Sequence, residues 1–311
     1  MQWEASMTKS VSIGICAYNE AARISGLIDS LDGQALPPGY MVTEILVVAS
    51  DCTDGTDRIV DERAQFDPRL TLIRETDRMG KASALNQILG AYQGEILILV
   101  NADARLRPDS LFHLVREFDA DPTVEVACGA PTPEASTNRI VNLIERVWWR
   151  LHNRTLQTLS DRGQGNHCCD ELMALRRGFA VSIPREVIND GAYFGVLGAL
   201  RGSTVRFVRD ALVSIETPSG LSGLLRQRRR ILAGHRQVRG LLGRSPATLE
   251  GLIRSDPGAA LRIVRSEFAA SPWQSAIFLC LAGPFEIVSY VLSRLDFVRG
   301  RESQAAWPMV E

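Results

Sequence analysis

The side chains best suited to chemistry stand where apolar runs break into polar turns. Asn101-Ala102-Asp103 follows the run at 96–100, which reads as a buried strand. A carboxylate placed there needs a partner. Divalent Mn or Mg fits, because hard cations take one or two carboxylates together with substrate phosphate oxygens. Asp103 is therefore the candidate metal ligand. Asn19 and Glu20 close the run at 11–16, just beyond Ala17. They read either as ligand-binding groups or as a pair capping the next helix. The loop Ala49-Ser50-Asp51-Cys52-Thr53-Asp54 suits ribose hydroxyls or a base edge, and its Thr53 and Asp54 equally suit the start of the following helix. Gly80-Lys81 opens another helical stretch, where an ammonium beside free backbone N–H groups suits an anion. The glycine-rich lead-in of a nucleotide-hydrolase phosphate loop is missing. On their own, Asp190-Gly191 reads as a turn and Gln227-Arg228-Arg229-Arg230-Ile231 as a solvated or membrane-facing helix face.

These groups need a frame. The apolar runs 11–16, 45–48, 70–73 and 96–100 read as buried strands, and helix-period segments separate them. Ile24, Leu27, Ile28 and Leu31 form one apolar stripe, and Ala84, Leu85, Ile88 and Leu89 another. Pro108-Asp109 marks a helix start for 110–118. Such alternation predicts an α/β fold with a mostly parallel sheet covered on both faces, its chemistry in the loops beyond the strands' carboxyl ends. Further on, 140–151 carries a helical apolar stripe, 172–175 and 205–208 read as strands, and the chain is helical and arginine-rich from Gly220. His167-Cys168-Cys169-Asp170 are ligand types, but consecutive residues do not easily converge on one ion.

In this order, the segments resemble family 2 glycosyltransferases of the GT-A fold over about residues 11–240. The resemblance implies inverting transfer from a nucleotide-sugar donor, with a UDP-sugar favoured, to a carbohydrate or lipid-linked acceptor. It places donor contacts at Ala17, Asn19, Glu20, Ser50, Asp51, Lys81, Asn101 and Asp103, with the metal on Asp103. Asn101-Ala102-Asp103 falls where the family carries D-x-D. Ser50 aligns with the usual nucleotide-contacting Asp, and Asp51 lies beside it. Asn189-Asp190 takes the place of an acidic pair, so Asp190 resembles the catalytic base. Gln227 and Arg230 match a Q-x-x-R-W motif near the diphosphate and acceptor, with Ile231 replacing the tryptophan. Leu172-Met173-Ala174-Leu175-Arg176-Arg177 resembles the family strand just beyond the active site, which implies a place near the acceptor cleft for the adjoining His167-Cys168-Cys169-Asp170. The implied division is a tail at 1–10, a catalytic domain at 11–215 (nucleotide-sugar half 11–130, acceptor half 131–215), an arginine-rich helical segment at 216–265 and a hydrophobic segment at 266–311.

The bulk numbers agree with this. The chain of 311 residues is 45% hydrophobic and 23% charged, enough for a real core. Its net charge of -1 argues against a nucleic-acid binder. Six irregularly spaced cysteines and the polar first ten residues point to a reducing, cytoplasmic setting. The stretch 273–292 is near bilayer length, with Trp273 and Tyr290 at its ends, whereas Pro284 and Glu286 weaken a simple span. It reads as a span, an interfacial helix or a buried terminal helix, the first two placing the protein at the cytoplasmic face of a membrane. Two alternatives remain beside the transferase: a nonenzymatic nucleotide-binding homologue, and a processive polysaccharide synthase of the same family. A single membrane segment disfavours the second.

Overall fold

A computed structural model describes residues 8–299. The expected tail and the end of the hydrophobic segment fall partly outside that range. Lys9 and Ser10 already belong to the first strand.

The strands are β1 (Lys9–Ala17), β2 (Tyr40–Ser50), β3 (Leu70–Glu75), β4 (Ile96–Asn101), β5 (Arg105–Leu106), β6 (Val124–Pro133), β7 (Leu172–Arg176) and β8 (Thr204–Ile215). Among the described residues they form one sheet in the order β3-β2-β1-β4-β7-β6-β8-β5. The first four are parallel. β7 runs antiparallel between β4 and β6, and β6 and β8 are again parallel. The expected nucleotide-sugar and acceptor halves therefore share one continuous sheet. β1 is buried on both faces because β2 and β4 flank it and helices cover it. That explains its unbroken apolar run where a half-exposed strand would alternate.

Helices α1 (Ile24–Asp32), α2 (Thr56–Ala64) and α4 (Ser110–Ala120) cover one face, packing Leu27, Val60 and Leu114 on Ile13, Ile45 and Ile98. Helices α3 (Lys81–Ala91) and α6 (Asp190–Leu200) cover the other, with Leu85 and Phe194 on Leu97 and Met173. Burying one such aliphatic side chain stabilises the fold by roughly 1.5–3 kcal/mol. The start of α4 differs in detail from expectation. Asp109 occupies the cap position without a side-chain cap bond and faces His113 instead, at 3.3 Å.

A third apolar cluster joins α5 (Arg139–Asp161), α7 (Leu221–Leu242), α8 (Leu249–Ser255), α9 (Pro257–Ala270) and α10 (Pro272–Val298). The Asn138 side chain caps α5, accepting from Ile140 N at 3.0 Å, and Asp256 caps α9 with Pro257 behind it. Close backbone approach fixes α6. A Cβ on Gly195 would lie 2.6 Å from His167 Cα, and one on Gly191 2.4 Å from Cys168 O. These glycines let the 166–170 segment pass directly over the helix that begins with Asp190. Gly195→Ala should therefore cost about 1–3 kcal/mol of stability, as overpacking against backbone does, read as a lower urea midpoint with an unchanged m-value.

Candidate active site

The topology gathers one edge. The ends of β1, β2, β3 and β4 lie there, and so does the start of antiparallel β7, since Leu172 pairs with Val100. Asp170 and Glu171, which precede β7, thus arrive beside Asn101. Asn101 N donates to Glu171 O at 3.3 Å.

Lys81, the first residue of α3, sits at the centre with its side chain 8% exposed. Its Nζ donates to Asn101 Oδ1 at 3.0 Å and to Asp170 Oδ2 at 2.9 Å, and it lies 3.1 Å from Asp190 Oδ1. Burial alone would lower the lysine pKa, but Asp170 and Asp190 outweigh it and hold the ammonium charged. Asp170 is driven down to about 2, because Lys81 overcomes its desolvation. Asp190 goes the other way, up to about 6. Burial raises it most and Asp170 adds to that, while Lys81 only partly offsets the two. Two carboxylates compete for one ammonium, and Asp190 is left the more basic. Its place is set by Asn189, whose Oδ1 accepts from Ala192 N at 2.8 Å.

Helix α7 packs on α6 and closes the site there. A Cβ on its Gly234 would lie 2.8 Å from Asn189 Cβ, and Gln237 Oε1 accepts from Ile188 N at 2.9 Å. One turn earlier, Arg230 comes under the field of both Asp170 and Asp190. Desolvation lowers its pKa, those two carboxylates raise it, and Arg78 lowers it. Gln227 stands a further turn back, half-buried on the same helix.

On the other side, Cys16, Ala17, Tyr18, Ser50, Arg78 and Lys81 line a cleft. Arg78 stacks over the Tyr18 ring at 3.6 Å, and its Nη2 is buried without a hydrogen-bond partner among the described residues. Asn19 (φ 54°) spans two loops, its Oδ1 accepting from Thr53 N at 2.8 Å. Ser50 donates to Glu75 Oε2 at 2.6 Å, and Glu75 Oε1 also accepts from Ser83 and Gln87. Asp51 (φ 47°) is exposed beside it, its N donating to Glu75 O at 2.8 Å. Of the two expected capping residues, Asp54 accepts from Thr56 N at 3.0 Å, while Thr53 turns to Asn19.

Asp103 is half-buried beyond β4. Its carboxyl is pushed up, mainly by desolvation and further by Glu216, against Lys81 and Arg23. Glu20 is raised to about 6, by burial first and also by Asp103. Arg23 ties Glu20 at 2.9 Å and Glu216 at 2.5 Å into this acidic rim. Glu171 Oε2 is buried nearby without a hydrogen-bond partner.

The structure thus brings Lys81, Asn101, Asp190 and Arg230 together, with Asp103 and Glu20 on the adjoining rim and Ala17 and Ser50 on the cleft. Sequence reasoning missed Glu75, Arg78 and Glu216, and it set Asp170 near the cleft without giving it a role. For Asp170 a signal existed, since an acidic pair directly precedes the apolar run at 172–175. Its neighbours take another part. The His167 ring stacks edge-on between His152 and His235, and Cys168 and Cys169 are buried core.

Comparisons with known proteins bear on the family and the fold. The family model described as glycosyl transferase family 2 matches residues 12–182. A beta-monoglucosyldiacylglycerol synthase of Nostoc is 29% identical over 163 residues, covering 50% of this chain and 34% of that protein. An N-acetylglucosaminyltransferase of Rhizobium meliloti is 24% identical over 236 residues, covering 71% of this chain and 54% of its own. The chain therefore spans between a third and just over half of these curated relatives. A mannosyltransferase from Pyrobaculum calidifontis, solved with GDP-Man and Mn2+, superposes with a TM-score of 0.60 at 24% identity, covering 95% of this chain and 85% of that one. Its fold is shared, so the GT-A-type architecture is the one this chain adopts.

Replacing Lys81 by Met strands buried Asp190 and half-buried Asp170, which should cost about 3–5 kcal/mol at neutral pH. Without the ammonium both acids have folded pKa values above their unfolded ones, so the deficit should shrink as pH falls and they take up protons. Urea unfolding across pH reads this; a deficit independent of pH would contradict the shared ion pair.

Proposed function

The chain belongs to glycosyl transferase family 2, and on that premise we propose that the cleft around Lys81 moves a sugar, with inversion, from a nucleotide-diphosphate sugar to an acceptor hydroxyl. The observation that supports this most is Asp190, a buried carboxylate at a helix start whose pKa of about 6 suits a base near neutrality.

An acceptor hydroxyl is a poor nucleophile until its proton leaves. Asp190 takes that proton as the oxygen attacks the anomeric carbon opposite the diphosphate. The bond from the anomeric carbon to phosphate oxygen breaks, and the nucleoside diphosphate departs carrying the electron pair. Arg230 and Lys81 face the growing negative charge. Asp170 keeps Lys81 in place and keeps Asp190 basic. The cleft under Tyr18 and Arg78 holds the nucleotide, its walls including Ala17 and Ser50, with Asn19, Glu20 and Asp51 in the loops around it. Gln227 lines the acceptor side.

The residues fit a divalent cation held jointly with the donor. Among the described residues no three His, Cys, Asp or Glu side chains converge to cage an ion. Asp103 offers one carboxylate on an acidic rim, and a hard cation such as Mn or Mg takes its remaining oxygens from phosphate and water. Bound there, it would supply charge neutralisation for the leaving diphosphate.

A UDP-sugar is the first donor to test, with GDP-mannose beside it because the P. calidifontis neighbour was solved with that ligand. We place the acceptor on a lipid-linked or cell-envelope glycan at the cytoplasmic face of a membrane. The support is α10, 27 residues long, with an 18-residue window whose mean hydropathy is 1.8.

With a panel of nucleotide sugars, Mn and envelope-lipid extracts, the wild type should release nucleoside diphosphate as it glycosylates acceptor. Polymeric product would favour the processive alternative. Asp190→Asn should keep donor binding by calorimetry and lose about 10²–10⁴-fold in turnover, whereas Asp103→Ala should lose the metal-dependent part of donor binding. Full turnover in Asp190→Asn would refute the base.

The rate should fall below about pH 6 as Asp190 takes a proton. Removing the charge at 170 leaves Lys81 to favour the ionised Asp190, so Asp170→Asn should move that acid limb to lower pH. An unmoved limb, with Asp190 shown to be the base, would refute the competition for Lys81.

A further inference from the structure

Helix α10 is built inside out. Its inward stripe is mostly small or polar, with Ser275, Ala282, Ser289 and Ser293 buried, and Phe278 and Phe285 pack on Trp148 among them. The inward acids are paired, Glu286 to Arg228 at 2.5 Å and Asp296 to Arg229 at 2.5 Å. Arg236 Nη2 donates to Ser293 Oγ at 2.7 Å. The opposite stripe carries Trp273, Ile277, Ile287, Val291, Leu295 and Val298 at helical spacing, all exposed, Trp273 at 82% and Ile287 at 66%. A surface helix facing water shows the reverse pattern.

Charge on the neighbouring helices is sorted the same way. Every acid of α8, α9 and α10 is tied to an arginine of α5 or α7. Glu250 and Glu286 meet Arg228, Glu267 meets Arg150 and Arg154, and Asp296 meets Arg229, while at the helix ends Asp256 before α9 meets Arg162 after α5. The arginines of these three helices remain exposed: Arg254 on α8, Arg262 and Arg265 on α9, Arg294 on α10. An apolar stripe of about 40 Å, at 1.5 Å per residue, on a group of helices whose exposed arginines have no ion pair among the described residues, matches acyl chains beneath anionic headgroups.

We propose that this face docks on an anionic lipid bilayer, with α10 lying in the plane of the interface rather than crossing it. Crossing would draw α5, α7 and α9, which pack along α10, and their charged residues into hydrocarbon. The same fastening sets what the cleft can reach. α7 carries Arg228 and Arg229 towards α10 and Arg230 towards Asp170 and Asp190. The reaction centre therefore stands about one helix diameter, ~10 Å, from the lipid surface, within reach of a sugar or hydroxyl on a lipid headgroup. That last step rests on the proposed transfer reaction, whereas the docking does not.

The full chain is floated with vesicles of phosphatidylcholine, alone or mixed with phosphatidylglycerol. It should rise with the mixed vesicles, and Ile287→Glu with Val291→Glu should cut binding roughly tenfold or more. Arg262→Gln and Arg294→Gln should each weaken binding to the mixed vesicles roughly fivefold, with no effect on neutral ones. Circular dichroism checks that the variants fold, and donor hydrolysis without lipid should be unchanged in all of them. Docking is overturned if the wild type stays unbound with both vesicles, or if the glutamate variant merely turns a dimer into a monomer. Resistance of bound protein to alkaline carbonate would overturn the in-plane orientation. Vesicle binding without any transfer to lipid acceptors would instead count against the proposed reaction.

Discussion

One buried ammonium governs the site. Lys81 has lost most of its water, so its charge persists only because Asn101, Asp170 and Asp190 surround it. In a low-dielectric setting such a group is costly to leave unpaired and hard to move. It fixes the end of β4, the start of β7 and the start of α6 relative to one another. It also makes the two aspartates unequal, one held ionised and the other raised towards neutrality. The structure of the cleft and its acid–base character therefore share one cause.

That ammonium can be buried because the elements around it approach without side chains in between. Gly191 and Gly195 let the 166–170 segment lie against α6, and Gly234 lets α7 lie against Asn189. Larger residues there would spread the carboxylates and leave Lys81 short of partners. Next to this polar centre, the stacked rings of His152, His167 and His235 and the buried Cys128, Cys168 and Cys169 fill space. Burial keeps His152 and His167 below their ordinary pKa, so they add no fixed charge beside Asp170.

Helix α7 links chemistry to surroundings. Successive arginines on one helix point about 100° apart, so a run of three cannot serve one purpose. Arg230 faces the carboxylates of the cleft, while Arg228 and Arg229 hold the acids of α10. Arg228 also lies over the Trp148 ring at 5.0 Å, joining α5 to the same contact. A bland reading of the arginine run as a solvated face holds for Arg226 and Arg239, which are exposed, and fails for the four between them, Arg236 holding Ser293.

The sequence alone determined the local elements. Apolar runs of strand length, helix-period stripes and the polar turns between them located β1 to β4, α1, α3 and α4, and the edge where chemistry lies, because period and termini are written in neighbouring residues. Asp103 beyond β4 and Lys81 at the start of α3 were legible for the same reason. The length and apolarity of α10 were legible too, but not the direction it faces. What only the tertiary structure decided was who meets whom. Asp170 reaches Lys81 because β7 inserts antiparallel between β4 and β6, and Glu286 turns inward because Arg228 waits on another helix. Charge pairing across a fold depends on strand order and helix packing, and residues far apart in the chain carry no local mark of being neighbours.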